Sequence, residues 1–222
     1  MTLLQRFRRP AAGIAVALVA AAISAVFAPE LPAEMVTTWS ASGEPTGAMS
    51  RSTVLVGGPA MVLFVVALFE VIPRIDPLAA NIRQFQAAYD AAAVVVAGFL
   101  AYVHALVVVW NLGHEFDLVV GLAPALSVLY VAVGFLLERA ERNWFVGIRT
   151  PWTLSSERVW RDTHDLAATL FKATGVVALG ALVVPDDAIY FVVAPAVAVS
   201  LVGTVYSFVR YRQLGDGDPA EG

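Results

Sequence analysis

Serine, aspartate and histidine, the side chains that many hydrolases use, occur together in one polar stretch of the sequence. The stretch reads NWFVGIRTPWTLSSERVWRDTH, residues 143–164, and contains Ser155, Asp162 and His164. A nucleophilic serine needs a histidine base within hydrogen-bond reach and an acid that orients this base. The spacing of the three residues does not indicate such a set, so we predict no nucleophilic catalysis and no enzyme.

Metal, cofactor and nucleotide sites are not predicted either. The three histidines, His104, His114 and His164, are widely separated, and the sequence has neither an HExxH pair nor a glycine-rich phosphate loop. The absence of cysteine excludes disulfides, thiolate metal sites and cysteine nucleophiles. The net charge of −4 argues against a nucleic-acid surface. We expect no cofactor, no metal and no direct binding of nucleic acid.

The composition indicates an integral membrane protein. Of the 222 residues, 59% are hydrophobic and 14% charged. A helix crosses a hydrocarbon core of roughly 30 Å with about 20 residues, and the apolar runs do not alternate as barrel strands would. We predict an all-α bundle of transmembrane helices. Its six spans are Pro10–Ala28, Thr53–Ile72, Ala91–Asn111, Leu118–Leu137, Ala167–Val184 and Ala188–Val209.

The basic residues predict the orientation of these spans. With the N-terminus in the cytoplasm, all basic residues except Arg51 fall on the cytoplasmic side, as the positive-inside rule favours. Trp39 and Trp110 then lie near the outer interface, and Trp144, Trp152 and Trp160 near the inner one. Both termini are predicted to be cytoplasmic. The first run also has features of a cleavable signal peptide, but its length and the resulting even number of spans favour a retained helix.

Ionisable residues inside the predicted spans are few. His104 is clearly intramembrane, where it is either a neutral histidine bonded to a neighbouring carbonyl or a proton relay. Glu70 lies at the inner end of the second span, where it can pair with Arg74. The sparse buried charge does not favour a charge-coupled transporter.

The stretch 143–164 has a predictable local structure. Pro151 disfavours helix at Thr150, and Thr153, Ser155 and Ser156 are candidate caps for a helix that begins near Ser156. On this helix the pairs Arg158–Asp162 and Arg161–Asp165 have i,i+4 spacing, and Trp160 and His164 share a face. The helix either lies along the membrane surface or continues into the fifth span. An interfacial anchor is the alternative for its tryptophans and arginines, but it does not explain the order GIRTPWTLSS, which favours a structured cap.

This stretch closely resembles the signature of the SdpI family of membrane proteins, whose members carry an Asn, a GIRTPWTL core, a following Ser and a VW..TH ending. The resemblance covers residues from about 118 to 210. The matching positions that it implies as a motif and partner-binding set are Asn143, Gly147, Arg149, Thr150, Pro151, Trp152, Thr153, Ser155, Trp160, Thr163 and His164.

A second resemblance concerns the outer loop LPAEMVTTWSASGEPTGAMSR, residues 31–51. It is similar to the outer loop of an uncharacterised domain that is often fused ahead of the SdpI region. Thr38 and Ser40 stand where that domain often has His and Asn. We expect a compact lid. Its candidate ligand-binding residues are Pro32, Thr37, Trp39, Gly43 and Arg51.

The two resemblances predict the domain organisation. Residues 1–90 form a two-helix region with an extracellular loop at 29–52. Residues 91–210 form an SdpI-like four-helix region with a cytoplasmic loop at 138–166, and residues 211–222 form a polar tail.

The resemblance implies a function in immunity to an exported peptide toxin, signalling through a cytoplasmic transcription regulator, or both. The expected partners are the lipid bilayer of the cell membrane, a peptide toxin at the outer lid and the regulator at the inner loop. A small-solute or lipid transporter is the alternative.

Overall fold

A computed structural model of the chain describes residues 3–40 and 43–215, with side chains from Pro10 onward. Six helices in this part of the chain are long and apolar enough to cross a membrane, which confirms the predicted transmembrane bundle. The elements, in chain order, are α1 Leu3–Phe27, β1 Glu34–Trp39, β2 Pro45–Ser50, α2 Arg51–Ile75, α3 Ala79–Ile82, α4 Gln86–Asn111, α5 Leu118–Leu137, α6 Pro151–Ser155, α7 Glu157–Ala178 and α8 Ala188–Gly215.

Helices α7 and α8 differ from the predicted spans. Helix α7 begins ten residues before the predicted fifth span, because Ser156 caps it by accepting the Val159 N–H. The polar helix predicted to begin near Ser156 therefore continues into that span. Helix α8 continues to Gly215, beyond the predicted start of a polar tail at residue 211. The rest of that predicted tail, residues 216–222, lies outside the described residues.

The outer loop contains a β-hairpin that we had not predicted. Strands β1 and β2 pair antiparallel, with Met35 opposite Met49 and Val36 opposite Ala48. The β-branched run of β1 favours a strand, and Gly43, at φ +82°, supplies the turn conformation that other residues rarely adopt. We call residues 34–50 the outer hairpin. The predicted compact lid is thus a hairpin between α1 and α2.

Helix packing depends on small residues, as expected where lipid removes the hydrophobic drive between helices. One buried cluster joins α1, α2 and α4 through Ala17, Ala20, Val62, Ala97 and Ala101. Helix α4 thus packs against α1 and α2 as well as α5. The predicted division of the chain at residue 90 stays a prediction.

The second half packs in the same way, and α5, α7 and α8 contact one another. A Cβ added to Gly175 of α7 would lie 2.7 Å from the Ser127 carbonyl oxygen of α5. Glycine is needed there because the two backbones approach so closely.

The loops lie at two opposite ends of the bundle. At one end, Asn111 at the end of α4 contacts the outer hairpin. At the other end, the segment after α2 contacts the loop between α5 and α6, through Asp76 with Trp144 and Asn81 with Arg142. We call this second end the predicted cytoplasmic side, since its orientation in the membrane is a prediction from the basic residues.

Candidate functional site

The motif stretch folds into a compact cap on the predicted cytoplasmic side; we call residues 140–164 the cap. Its first turn is organised by Asn143, which is fully buried. The Asn143 Oδ1 accepts hydrogen bonds from the backbone N–H groups of Phe145 (2.9 Å) and Val146 (2.6 Å). Its Nδ2 donates to the carbonyl oxygens of Glu141 and Val146. An asparagine that satisfies four backbone groups fixes this turn, because each bond would be lost with a shorter side chain.

Gly147 and His164 form the centre of the cap. The backbone of Gly147 has φ +110°, and a Cβ at this position would lie 2.2 Å from the His164 Nε2. That Nε2 accepts the backbone N–H of Ile148 at 3.1 Å, and Nδ1 lies 2.7 Å from the Trp160 carbonyl oxygen. A carbonyl can only accept, so Nδ1 carries the proton and His164 is the neutral Nδ1–H tautomer.

Trp160 supports this histidine from the same helix face, as its spacing predicted. The two rings stack with centroids 4.0 Å apart, and the Trp160 Nε1 donates to the Ala140 carbonyl oxygen at 2.7 Å. Trp160 is 2% exposed, and Thr163 beside it is fully buried. The Thr163 Oγ1 has no hydrogen-bond partner among the described residues. These side chains pack the interior of the cap and are almost inaccessible from its surface.

The TPWT sequence forms the one-turn helix α6. Thr150 is its N-cap and Pro151 its first residue, where a missing N–H costs nothing. Thr150 and Thr153 form a reciprocal capping box, in which each side chain accepts the other residue's backbone N–H. The predicted cap Thr153 therefore serves α6, whereas Ser156 serves α7.

The last helix holds the cap against the bundle. Thr150 Oγ1 and Ser207 Oγ, both buried, lie 3.1 Å apart, and Trp152 packs on Phe208 with ring centroids 5.0 Å apart. Asp162 pairs with Arg210 at 2.6 Å. The predicted pairing of Asp162 with Arg158 is therefore wrong, because α8 brings a guanidinium closer than the neighbouring turn of α7 does.

The cap is also anchored from the N-terminal half, through residues that sequence reasoning missed. Asp76 is 4% exposed, and its two carboxylate oxygens accept the backbone N–H groups of Leu78 (2.7 Å) and Trp144 (3.0 Å). The Asn81 Nδ2 donates to the Arg142 carbonyl oxygen. The Asp–Pro pair at residues 76–77 signals a turn at the end of α2. No local sequence pattern predicts the contact of Asp76 with Trp144, 68 residues away.

The exposed rim of the cap consists of residues whose side chains are not used in its interior. Trp144 is 50% exposed and Phe145 38% exposed, and both are large apolar side chains. Arg149 is exposed, and its Nη1 donates to the Trp144 carbonyl oxygen. Pro151 and Ser155 are also exposed, and Trp152 is half-buried. The motif residues thus divide into a buried interior and an accessible rim.

The arrangement does not support hydrolysis by the residues of the cap. Both ring nitrogens of His164 have backbone partners, and the Ser155 Oγ donates to the Trp152 carbonyl oxygen. Asp162 is bonded to Arg210 rather than to the histidine. His164 is therefore in no position to take a proton from Ser155.

At the opposite end of the bundle, Asn111 holds the outer hairpin. Its Oδ1 accepts the Val36 N–H at 2.8 Å, and its Nδ2 donates to the Val36 carbonyl oxygen at 2.9 Å. The Asn111 carboxamide thus makes the two hydrogen bonds with Val36 that a neighbouring strand would otherwise make. Trp39 and Trp110 pack edge to face, with ring centroids 5.4 Å apart. Sequence reasoning missed Asn111, since an asparagine at the end of a helix has many uses.

The predicted ligand residues of the outer loop lie in different surroundings. Pro32 is exposed, and Thr37, Trp39 and Gly43 are half-buried. The guanidinium of Arg51 donates to the carbonyl oxygens of Ala28 (3.0 Å) and Leu31 (2.8 Å). Arg51 therefore closes the turn after α1, which uses at least one of its donor nitrogens.

His104 lies among α1, α2 and α4. Its Nε2 is 2.8 Å from the Ser24 Oγ, and this hydroxyl donates to the Leu55 carbonyl oxygen. His104 therefore bonds to a serine hydroxyl, which in turn donates to a carbonyl, rather than to a carbonyl directly. Gly58 lies against the ring, because a Cβ there would be 2.2 Å from Nδ1. The histidine thus joins α1, α2 and α4.

Comparisons with known proteins confirm both resemblances. Residues 139–207 match the model of the SdpI/YfhL protein family, and residues 15–63 match a domain of unknown function, DUF1648. The chain is 27% identical over 107 residues to a protein of Bacillus subtilis (strain 168) named Immunity protein SdpI. The aligned segment covers 47% of this chain and 51% of that relative, so the chain spans about half the length of the relative it matches. No solved structure matches the chain significantly.

Proposed function

We propose that this chain, a multi-pass protein of the cell membrane, acts in immunity: it protects its cell from a peptide toxin and passes the signal to a cytoplasmic regulator. The name of its relative in Bacillus subtilis supports the immunity part. The outer hairpin is the ligand surface, and the rim of the cap is the regulator surface. The transporter alternative gains no support, because His104 is 5% exposed and bonded to Ser24.

The main support for a ligand site on the outer hairpin is the free edge of β2. Arg51 N–H donates to the Ala33 carbonyl oxygen, so the alternation of an antiparallel ladder makes Val36 and Ala48 a pair without mutual hydrogen bonds. The backbone groups of Val36 accordingly point outward to Asn111. Those of Ala48 point to the opposite edge, where no strand of the described chain pairs with β2. An extended peptide can add at this edge as a third strand.

Charge favours a cationic peptide at this edge. Glu34, Glu44 and Asp117 are exposed on or next to the outer hairpin. Gly43 at its turn lies against Asp117, since a Cβ there would be 3.8 Å from the Asp117 Oδ2. Arg51 keeps its positive charge while it donates to the carbonyl oxygens of Ala28 and Leu31, so the three acidic groups outnumber this one cation. Acidic groups around a binding edge attract basic peptides and speed their association.

The regulator side of the proposal is the rim of the cap. Trp144, Phe145 and Arg149 are accessible there, and aromatic and arginine side chains are typical centres of protein interfaces. Of the motif residues that we predicted to bind a partner, six are buried: Asn143, Thr150, Thr153, Trp160, Thr163 and His164. Their role in this proposal is to hold the rim in shape.

Survival of cells exposed to candidate peptide toxins tests the ligand side. Ala48→Pro removes the outward N–H at the free edge, where a proline is tolerated, and Ala48→Val keeps it. At matched membrane levels, we expect wild type and Ala48→Val to protect and Ala48→Pro to lose protection. Full protection by Ala48→Pro would rule out strand addition. No protection by the wild type would reject the immunity function itself.

A regulator-dependent reporter tests the rim in the same cells. Trp144→Ala and Arg149→Ala are expected to abolish the response to toxin without lowering the amount of protein in the membrane. Arg74→Ala serves as the control, because Arg74 is exposed at the same end of the bundle and, among the described residues, pairs only with Glu70 of its own helix. An unchanged response in both rim variants would contradict the proposed surface.

A further inference from the structure

A large open cavity lies beside the cap on the predicted cytoplasmic side. Its volume is about 690 Å³, within the usual range of small-molecule sites. It is bounded by the end of α6, the first turns of α7 and the last turns of α8. The residues that line it are Arg142, Ser155, Ser156, Glu157, Arg158, Arg161, Tyr211, Leu214 and Gly215.

Positive charge dominates the walls of this cavity. Among the described residues, three arginines, Arg142, Arg158 and Arg161, line it together with one acid, Glu157. Arg142 lies 3.5 Å from Glu157. No ion pair joins Arg158 or Arg161 to any residue in the described ranges. Like charges that line one cavity repel one another, and an anion bound among them would offset this repulsion.

Two features of the fold produce this excess of positive charge. Asp162, the acid one turn after Arg158, is bonded to Arg210 on α8 at 2.6 Å, which leaves Arg158 without its expected partner. The cavity also lies at the N-terminus of the 22-residue helix α7, where aligned peptide dipoles add partial positive charge. The arginine side chains and the helix dipole therefore both favour an anionic ligand.

The donors around the cavity suit phosphate in particular. Arginine guanidinium groups match the geometry of phosphate oxygens and bind them in bidentate fashion. The Ser156 Oγ accepts the Val159 N–H and so has its own proton to donate, and Tyr211 supplies a second hydroxyl at the wall. Arg142 is held in place by its bond to the Leu154 carbonyl oxygen at 3.0 Å, so this guanidinium is partly preorganised.

We propose that this cavity binds a phosphate-bearing anion. Two sources share this chemistry: the headgroup of an anionic phospholipid in the inner leaflet, and a soluble phosphate compound of the cytoplasm. The site adjoins the rim of the cap without including Trp144 or Arg149. It does not depend on the immunity function proposed above.

Thermal unfolding of the full-length protein in neutral detergent tests this site, because a ligand that binds the folded state raises Tm. One arm adds phosphatidylglycerol to the micelles, and the other adds sodium pyrophosphate; sodium chloride of equal ionic strength and phosphatidylcholine are the references. The variant is Arg158→Gln with Arg161→Gln. Both side chains are exposed, so its Tm without ligand should equal that of the wild type. The matched control is Arg74→Gln, an exposed arginine outside the cavity.

We expect the wild type and Arg74→Gln to gain Tm with at least one probe, and the double variant to need at least tenfold more of that probe for the same gain. A gain with phosphatidylglycerol alone identifies the lipid headgroup, and a gain with pyrophosphate identifies a soluble phosphate ligand. The proposal is overturned if neither probe raises the Tm of the wild type. It is also overturned if the double variant responds as the wild type does.

Discussion

The cap and the outer hairpin are both polar segments between apolar helices, but they use their polar groups differently. In the cap, Asn143, Thr153 and His164 are buried, and their hydrogen bonds go to the backbone of the cap itself. In the outer hairpin, most polar side chains are exposed, and Asn111 from outside holds one strand. The cap is therefore a rigid scaffold with a contact rim, whereas the hairpin is a lid with a free edge.

The difference predicts that substitutions in the cap cost more stability than substitutions in the outer hairpin. Each buried polar group of the cap needs a partner in a fixed place, because an unsatisfied group costs roughly 1 to 3 kcal/mol. An exposed hairpin residue bonds to water instead, and its replacement costs little. The following changes test this difference, from the largest expected effect to the smallest.

Gly147→Ala should have the largest effect. The added Cβ would lie 2.2 Å from the His164 Nε2 at a backbone φ of +110°, so strain and overlap together are expected to lower the free energy of unfolding by about 2 to 4 kcal/mol. Thermal unfolding in detergent measures this loss. Gly57→Ala is the control, because nothing lies within 4 Å of its added Cβ. Equal Tm values for the two variants would show that the cap is not rigid.

Asp76→Ala removes the anchor between the cap and the N-terminal half. Two backbone N–H groups, of Leu78 and Trp144, lose a charged acceptor, and a cost of about 2 to 3 kcal/mol is expected. Asp76→Asn keeps one acceptor oxygen and should lie between the wild type and the alanine variant in Tm. If Asp76→Ala melted like the wild type, the two hydrogen bonds of Asp76 would not contribute to holding the cap.

Asn111→Leu should release the outer hairpin with a smaller effect on global stability. The two bonds to Val36 are worth about 1 to 2 kcal/mol, and the hairpin contributes little to the buried core. Amide hydrogen exchange is expected to increase in residues 34–50 and to stay unchanged in residues 140–164. Faster exchange in both segments would mean that the two ends of the bundle are coupled.

Glu138→Gln, just before the cap, should have the smallest effect. A hydrogen bond from Lys172 at 3.1 Å holds the pKa of Glu138 below its ordinary value. A lowered pKa means that the stabilising contribution is present at neutral pH and is lost as the pH falls through that lowered pKa. The Tm difference between wild type and variant should therefore be small at pH 7 and vanish as the pH falls through this lowered pKa. A difference that grows on acidification would contradict the assignment.

The sequence predicted the cap better than the outer hairpin. Pro151, the hydroxyl residues and Gly147 each restrict the local backbone, and these restrictions were sufficient to place a helix start at Ser156. The outer loop has many turn residues but only a short β-branched run, and short strands are hard to distinguish from irregular loops. Its hairpin was therefore described only as a compact lid.

The residues that hold each site from a distance could not be predicted. Asp76, Asn111, Ser207 and Arg210 lie in other elements, and their partners in the cap or hairpin are 48 to 75 positions away. Local patterns report backbone preferences over a few residues, whereas these contacts depend on how whole helices pack. The predicted pair of Arg158 with Asp162 was wrong for the same reason.

The sequence by itself determined the six spans, the two polar segments and the family resemblance, because hydrophobic length and local backbone chemistry are properties of neighbouring residues. Only the tertiary structure decided which motif side chains are buried and which form the rim. It also decided that three arginines line one cavity and that Arg158 lacks its expected partner there, because Asp162 is bonded to Arg210 of α8. Burial and charge pairing depend on the distances between elements, and these distances exist only once the helices have packed.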